Sequence, residues 1–165
     1  MKKIIVFLFV ITIVYLGYSE KSEKVIIPTS SIRYRIIANS NSIEDQILKL
    51  NIKNQIDKEI MPMLENADSI EESRKLIVNN LSEIEQVVSK YTEDYSVNYG
   101  KNYFPEKTYK GINYDQGEYE SLVITLGNGL GENWWCVLYP PLCLIDEEST
   151  NEVEYTTLVK EIIDR

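Results

Sequence analysis

The sequence has no histidine and only two cysteines among its 165 residues. Without an imidazole there is no Ser-His-Asp or Cys-His nucleophile pair, no His-ligated zinc or haem, and no histidine pH switch. Two thiolates are too few for a thiolate-only structural zinc site or for an iron–sulfur cluster held by one chain. No catalytic, cofactor-binding or metal-ligating set is therefore assigned. Basic residues are scarce as well, 17 against 26 acidic, for a net charge of −9. That balance argues against nucleic acid as a partner, because binding to phosphate backbones rests on clustered Lys and Arg. Any catalysis would have to use carboxylates, lysine, tyrosine or serine. The length suits one domain, since a chain of about 150 residues hides roughly 70% of its unfolded surface.

One apolar run stands apart from that domain. Lys2 and Lys3 precede Ile4–Leu16, thirteen residues without a charge, and Gly17-Tyr18-Ser19 follows. This is the order of a signal segment, with small residues at the −3 and −1 positions of a cut before Glu20. At about 1.5 Å per residue the run spans only ~20 Å, short of the ~30 Å hydrocarbon core. Residues 1–19 thus read as a cleaved signal in preference to an uncleaved anchor that recruits Gly17 and Tyr18. Membrane contact is expected only through this segment if it is retained. Its removal leaves 15 basic and 26 acidic residues, a mature charge of −11. Residues 20–31 read as a polar linker and residues 32–165 as a single domain.

Within the domain, Ile32, Tyr34 and Ile36 alternate with Arg33 and Arg35, the period of a half-buried strand. Asn39-Ser40-Asn41-Ser42 breaks it and leads into a helix with Ser42 or Asn41 as N-cap and Glu44 and Asp45 in its first turn. Ile43, Ile47 and Leu50, with the ridge Leu48, Ile52, Ile56 and Ile60, are expected to give this helix its apolar face, and Pro62 to close it. A second helical seam runs through Ile70, Ile77, Leu81, Ile84, Val88 and Tyr91. Its start is expected at Asp68 in the cap role, and Asn79-Asn80 is a point where it could divide.

From Tyr95 the period changes to two. Tyr119–Leu126 is the strongest strand signal, Gly127–Gly131 a turn, and Asn133–Leu138 a returning strand, together read as an antiparallel hairpin. A last helix is expected from about Asn151, carried by Tyr155, Leu158, Val159 and Ile162. The order predicts an α+β fold: a small mixed or antiparallel sheet with two or three helices packed on one face, preceded by the signal segment.

The glycine run is not a nucleotide loop, because it leads to a strand and lacks the Lys and Ser/Thr of such loops. In an exported chain Cys136 and Cys143 are read as a disulfide in preference to reduced core thiols, bracing the Tyr139-Pro140-Pro141 bend. Adjacent Trp134 and Trp135 must face opposite sides of a strand. One is core and the other is either covered or an outward partner contact beside the Pro-Pro bend. The acidic clusters Glu65/Asp68/Glu71/Glu72 and Asp146/Glu147/Glu148 read as solvated.

Two segments together resemble the stage II sporulation protein R family. One is Ile32–Ser42 followed by Glu44-Asp45-Gln46 and Leu48-Lys49. The other is Asn133-Trp134-Trp135-Cys136-Val137-Leu138-Tyr139-Pro140-Pro141-Leu142-Cys143. Asn41 stands where the family often has Asp, and Asp115-Gln116 where Pro-Ala is commoner. The resemblance implies an exported signalling protein of endospore-forming bacteria, secreted from the forespore into the space between the forespore and mother-cell membranes. There it would activate a membrane-embedded aspartic protease that processes pro-sigma E. Candidate contacts are Trp134, Trp135, Tyr139, Pro140 and Pro141, with Asn39 and Ser40 of the Asn39–Gln46 turn as a second set; for Asn41, Ser42 and Asp45 helix capping is the plainer role. Two other classes stay open: a small exported hydrolase of cell-wall glycan using Asp45 with Glu118 or Glu120, and a protease inhibitor presenting Tyr139–Cys143.

Overall fold

The structure, a computed structural model, describes residues 27–110, 112–143 and 152–163. The expected signal segment and the acidic run Asp146–Glu148 lie outside the described residues. The elements run β1 (Ile32–Ile37), α1 (Ile43–Glu59), α2 (Met61–Glu65), α3 (Ile70–Asn79), α4 (Leu81–Ser89), β2 (Tyr95–Phe104), β3 (Lys107–Tyr109), β4 (Ile112–Tyr114), β5 (Gly117–Leu126), β6 (Asn133–Tyr139) and α5 (Glu152–Ile163). The main sheet has the order β2-β5-β1-β6, and β3 and β4 form a separate hairpin.

The class is α+β and the main sheet is mixed: β1 is parallel to β5 and antiparallel to β6, while β2 is antiparallel to β5. The expected hairpin of β5 with β6 is not formed. β1 lies between them, so Gly127–Glu132 must carry the chain across the end of β1. Neighbouring strands are about 4.8 Å apart, so this crossing covers about 10 Å. It is tied down by Leu130 N–H to Asn39 O (3.0 Å) and Gly131 N–H to Ala38 O (2.8 Å). Gly127 and Gly129 turn the chain with positive φ, and Gly131 lets it pass close over the Ser40 backbone.

On one face of the sheet Ile32, Tyr34, Ile36, Leu122, Ile124, Leu126 and Leu138 meet Ile52, Ile56, Ile60, Leu64, Ile77, Ile84 and Val88 from α1–α4. Four helices cover this face where two or three were expected. The helix α1 ends at Glu59, and Pro62 occupies the first turn of α2 rather than closing α1, as a residue without an N–H may at a helix start. Asn79-Asn80 does divide the second seam: the Asn80 backbone N–H caps α3, and its Nδ2 donates to Leu76 O at 2.7 Å. The cap of α3 is Ser69 rather than Asp68. Its hydroxyl accepts from Glu72 N–H, and the Glu72 carboxylate accepts from Asp68 N–H at 2.9 Å.

On α1 the two apolar stripes have different fates. At 100° per residue, Ile43, Ile47 and Leu50 point nearly opposite to Ile52 and Ile56. Only the second stripe meets the sheet, and Ile43, Ile47 and Leu50 are 74%, 52% and 45% exposed.

The other face of the sheet is covered by the β3–β4 hairpin and α5. Tyr155 and Val159 of α5 pack with Ile112, Val137 and Leu142, and Ile27 is buried with them. The packed fold therefore reaches back into the segment that composition marks as linker. Among the described residues no helix is long and apolar enough to cross a membrane.

Candidate functional site

The corner where β1 meets α1 is built around one carboxylate. Ser42 caps α1 by accepting from Asp45 N–H at 3.1 Å. The Asp45 side chain points back and accepts from Ser40 Oγ (2.5 Å) and Asn39 Nδ2 (2.9 Å). Asn39 Oδ1 accepts from Asn128 N–H at 3.0 Å, and Asn41 Oδ1 from Glu132 N–H at 2.7 Å. The Asn39 and Asn41 side chains thus hold the crossing loop to the corner, and the Ser40 hydroxyl holds Asp45. Around them the apolar side chains are open: Ile43 and Ile47 on α1, and Leu130, 79% exposed, on the loop. The hydrogen bonds from Ser40 first and Asn39 second hold the Asp45 carboxyl below the usual carboxylate range.

The strand β6 carries the aromatic block along a sheet edge. Register puts Trp134 opposite Ile36 and Trp135 opposite Arg35, so the two rings lie on opposite faces. Trp134 packs edge-on to Tyr34 with centroids 5.2 Å apart, and Lys53 lies 5.2 Å from its ring. Trp135 packs edge-on to Phe104 at 5.4 Å, with Lys107 at 4.9 Å. Each tryptophan is half-buried in its own layer. Tyr139, Pro140 and Pro141 are also half-buried, the Tyr139–Pro140 peptide is cis, and Cys136 and Cys143 form a disulfide with Cα atoms 5.4 Å apart. Closing so short a loop should stabilise the fold by about 2.5 kcal/mol in the chain-entropy model. Replacing both cysteines by alanine is expected to lower Tm by about 8 °C, read by calorimetry, and an unchanged Tm would remove the brace from the account.

A third cluster was missed by reading the chain as alternating strands. Arg33 and Arg35 lie on the face of β1 away from α1–α4. There the Arg33 guanidinium stacks 3.3 Å from the Tyr119 centroid, with Phe104 at 5.4 Å and Tyr114 at 5.8 Å. Arg35 lies 4.7 Å from Phe104. Arg33 is only 2% exposed, and burial pulls its guanidinium below the ordinary arginine range, opposed in part by Tyr119, Tyr114 and Asp115. The signal that could have found it is the central position of β1, since a strand flanked on both sides in a sheet covered on both faces buries every residue.

The carboxylates weighed as an acid/base pair do not meet. Glu120 stands on β5 one residue before Ser121, the partner of Arg33 near the start of β1, whereas Asp45 lies beyond the end of β1. At about 3.3 Å per residue they are roughly 20 Å apart. Glu118 is two residues further from the corner along β5. Glu120 is held by Arg74 Nε at 2.8 and 2.9 Å and by Tyr99 OH at 2.6 Å. The Arg74 bonds first, and then Tyr99, depress its carboxyl, while burial and that carboxylate push the Tyr99 phenol up.

Because Asp45 and Glu120 are both depressed in the fold, each contributes stability above its unfolded pKa, about 3.9 and 4.3. That contribution is lost as pH falls from there through the lower folded value. Glu120→Gln should therefore flatten the decline of the urea midpoint between about pH 5 and pH 2. An unchanged slope would remove Glu120 from the acid response.

The fold and these braces define a small α+β domain with a mixed four-stranded sheet, clamped at one corner by an Asn-Ser-Asp cluster and along one edge by a disulfide. The family model described as stage II sporulation protein R matches residues 28–149. Stage II sporulation protein R of Bacillus subtilis (strain 168) is 46% identical over 136 residues, which cover 78% of this chain and 61% of that protein. The chain thus spans less than two thirds of the length of that relative. No solved structure matches it. The chain belongs to the stage II sporulation protein R family.

Proposed function

We propose that the chain is an exported signal that crosses from the forespore into the intermembrane space. There it activates a membrane-embedded aspartic protease of the mother cell, which then processes pro-sigma E. The observation that carries this reading is the family match over residues 28–149, which takes in both the β1–α1 corner and the whole β6 block. The lysine-flanked apolar run ahead of it supplies the export route.

The contact with the protease is made at the β1–α1 corner. Ile43, Ile47 and Leu130 are large apolar side chains left open there, while Asn39, itself bonded to Asp45, holds the loop that presents Leu130. The half-buried Trp134, Trp135, Tyr139, Pro140 and Pro141 support the sheet edge behind it. A ligand of this kind acts by binding the active arrangement of the protease more tightly than the inactive one; equal affinity for both would shift nothing.

The test is co-expression of the chain with the protease and pro-sigma E in a non-sporulating host. Cleavage that depends on the chain is expected. No cleavage with all three proteins present at the membrane would refute the proposal, and cleavage that falls on adding the chain would make it an inhibitor.

A further inference from the structure

A cavity of about 110 Å³ lies between the second face of the sheet, the β3–β4 hairpin and α5. Its walls include Arg33, Lys107 and Asn133 as polar groups and Phe104, Tyr114 and Trp135 as aromatic ones. Among the described residues no carboxylate lines it, although the chain as a whole carries −9. Arg33 is 2% exposed, and its Nε and Nη1 are buried with no hydrogen-bond partner. Its Nη2 makes one long bond, 3.4 Å, to the Asp115 carbonyl.

A guanidinium stays charged in a protein. Burying it with two nitrogens unpaired carries a large desolvation penalty, which stacking on Tyr119 offsets only in part. An anion in the cavity would complete the arrangement. A planar carboxylate matches the guanidinium fork, and the ring walls suit a flat apolar body behind it. A phosphate group would call for several converging donors, whereas here a single buried cation meets a mostly aromatic wall.

We propose that this cavity binds a carboxylate carried on a planar apolar body, with Arg33 receiving the carboxylate, exposed Lys107 attracting it at the mouth, and Trp135 packing against the ring. The site does not depend on the proposed protease activation and is tested without the protease.

The purified chain is titrated with benzoate, with its neutral analogue benzamide, and with inorganic phosphate. Binding is followed by tryptophan fluorescence and by the side-chain Nε–Hε NMR signal of Arg33. Saturable benzoate binding that moves the Arg33 signal is expected, with benzamide and phosphate at least tenfold weaker. Lys107→Gln should weaken benzoate about fivefold, as loss of one partly exposed charge interaction does. Arg33→Met should abolish it. Because Arg33→Met could fail to fold, the wild-type Arg33 signal and the Lys107→Gln affinity carry the test. No saturation by benzoate at about 10 mM, benzamide or phosphate binding as tightly as benzoate, or an Arg33 signal that stays still on saturation would each overturn the assignment. A short peptide ending in phenylalanine, free or amidated at its C-terminus, separates the two sources of this chemistry. Binding of the free form alone extends the site to chain termini, and failure of both forms beside benzoate binding restricts it to small acids.

Discussion

Gly131→Ala is expected to destabilise the domain by about 3 kcal/mol and to lower its Tm by about 10 °C. A Cβ at this position would overlap the Ser40 carbonyl oxygen and lie 2.6 Å from the Ser40 carbonyl carbon and 2.9 Å from the Ala38 Cβ. Most of these are main-chain atoms of the β1–α1 corner, and they cannot rotate away as a side chain can. Relief requires the crossing loop to lift, which breaks the 2.8 Å bond from Gly131 N–H to Ala38 O and strains the neighbouring bond from Glu132 N–H to Asn41 Oδ1.

The same substitution at Gly100, where an added Cβ has only Asn98 Oδ1 at 3.9 Å, should be far milder and serves as the control. Thermal unfolding of the two variants decides the matter. Equal Tm values would mean that the loop does not press on the corner as described. The effect also couples to Asp45. If the corner is one unit, Asp45→Ala and Gly131→Ala should cost less together than the sum of the two alone, as expected for residues sharing a network.

That crossing loop shows where the sequence was legible and where it was not. The main strands and longer helices follow from local pattern, as does the N-cap of α1. Ser42 caps α1, Tyr119–Leu126 lies within β5, and Tyr155 and Val159 are the buried residues of α5. Pairing is not local. Two strands joined by a glycine-rich turn read as a hairpin, and nothing within residues 117–139 reveals that β1, eighty residues earlier, inserts between them.

The corner itself was partly legible. Asp45 is legible as a helix-start residue and Asn39 and Ser40 as hydrogen-bonding turn residues, but the bond from Asn128 N–H to Asn39 depends on the loop that crosses above them. Ile43, Ile47 and Leu50 were assigned to the core because they are apolar at helical spacing. A helical wheel separates them from Ile52 and Ile56 by about half a turn, and only the position of the sheet shows which stripe is buried. Arg33 was hidden for the opposite reason. An arginine alternating with isoleucine reads as solvent-facing, and its burial follows from aromatic residues on β2, β4 and β5.

The open stripe leads to the second large effect. Ile47→Asp combined with Leu130→Asp is expected to reduce chain-dependent processing of pro-sigma E at least tenfold while leaving Tm within about 2 °C of wild type. Both side chains are more than half exposed, so the fold gains little from them. Position 47 is near the N-terminus of α1, where a carboxylate is tolerated by the helix dipole. In a partner interface the same two changes place charges in an apolar contact, and a loss of about 1.4 kcal/mol already gives a tenfold weaker complex. Val78→Asp is the matched control, because Val78 is 51% exposed on α3 and should leave processing unaltered.

Substitution of Trp134 is a poorer probe. Its ring packs against the buried Tyr34, so Trp134→Ala would lower the proposed signalling through lost stability whether or not it touches the protease. The corner variants separate the two causes, since they are built to spare the core. Normal processing by the Ile47→Asp, Leu130→Asp chain would move the contact surface elsewhere, with the edge formed by Trp135, Tyr139, Pro140 and Pro141 next to be tested. Equal loss in Val78→Asp would show that the deficit comes from acidic substitution at large rather than from this corner.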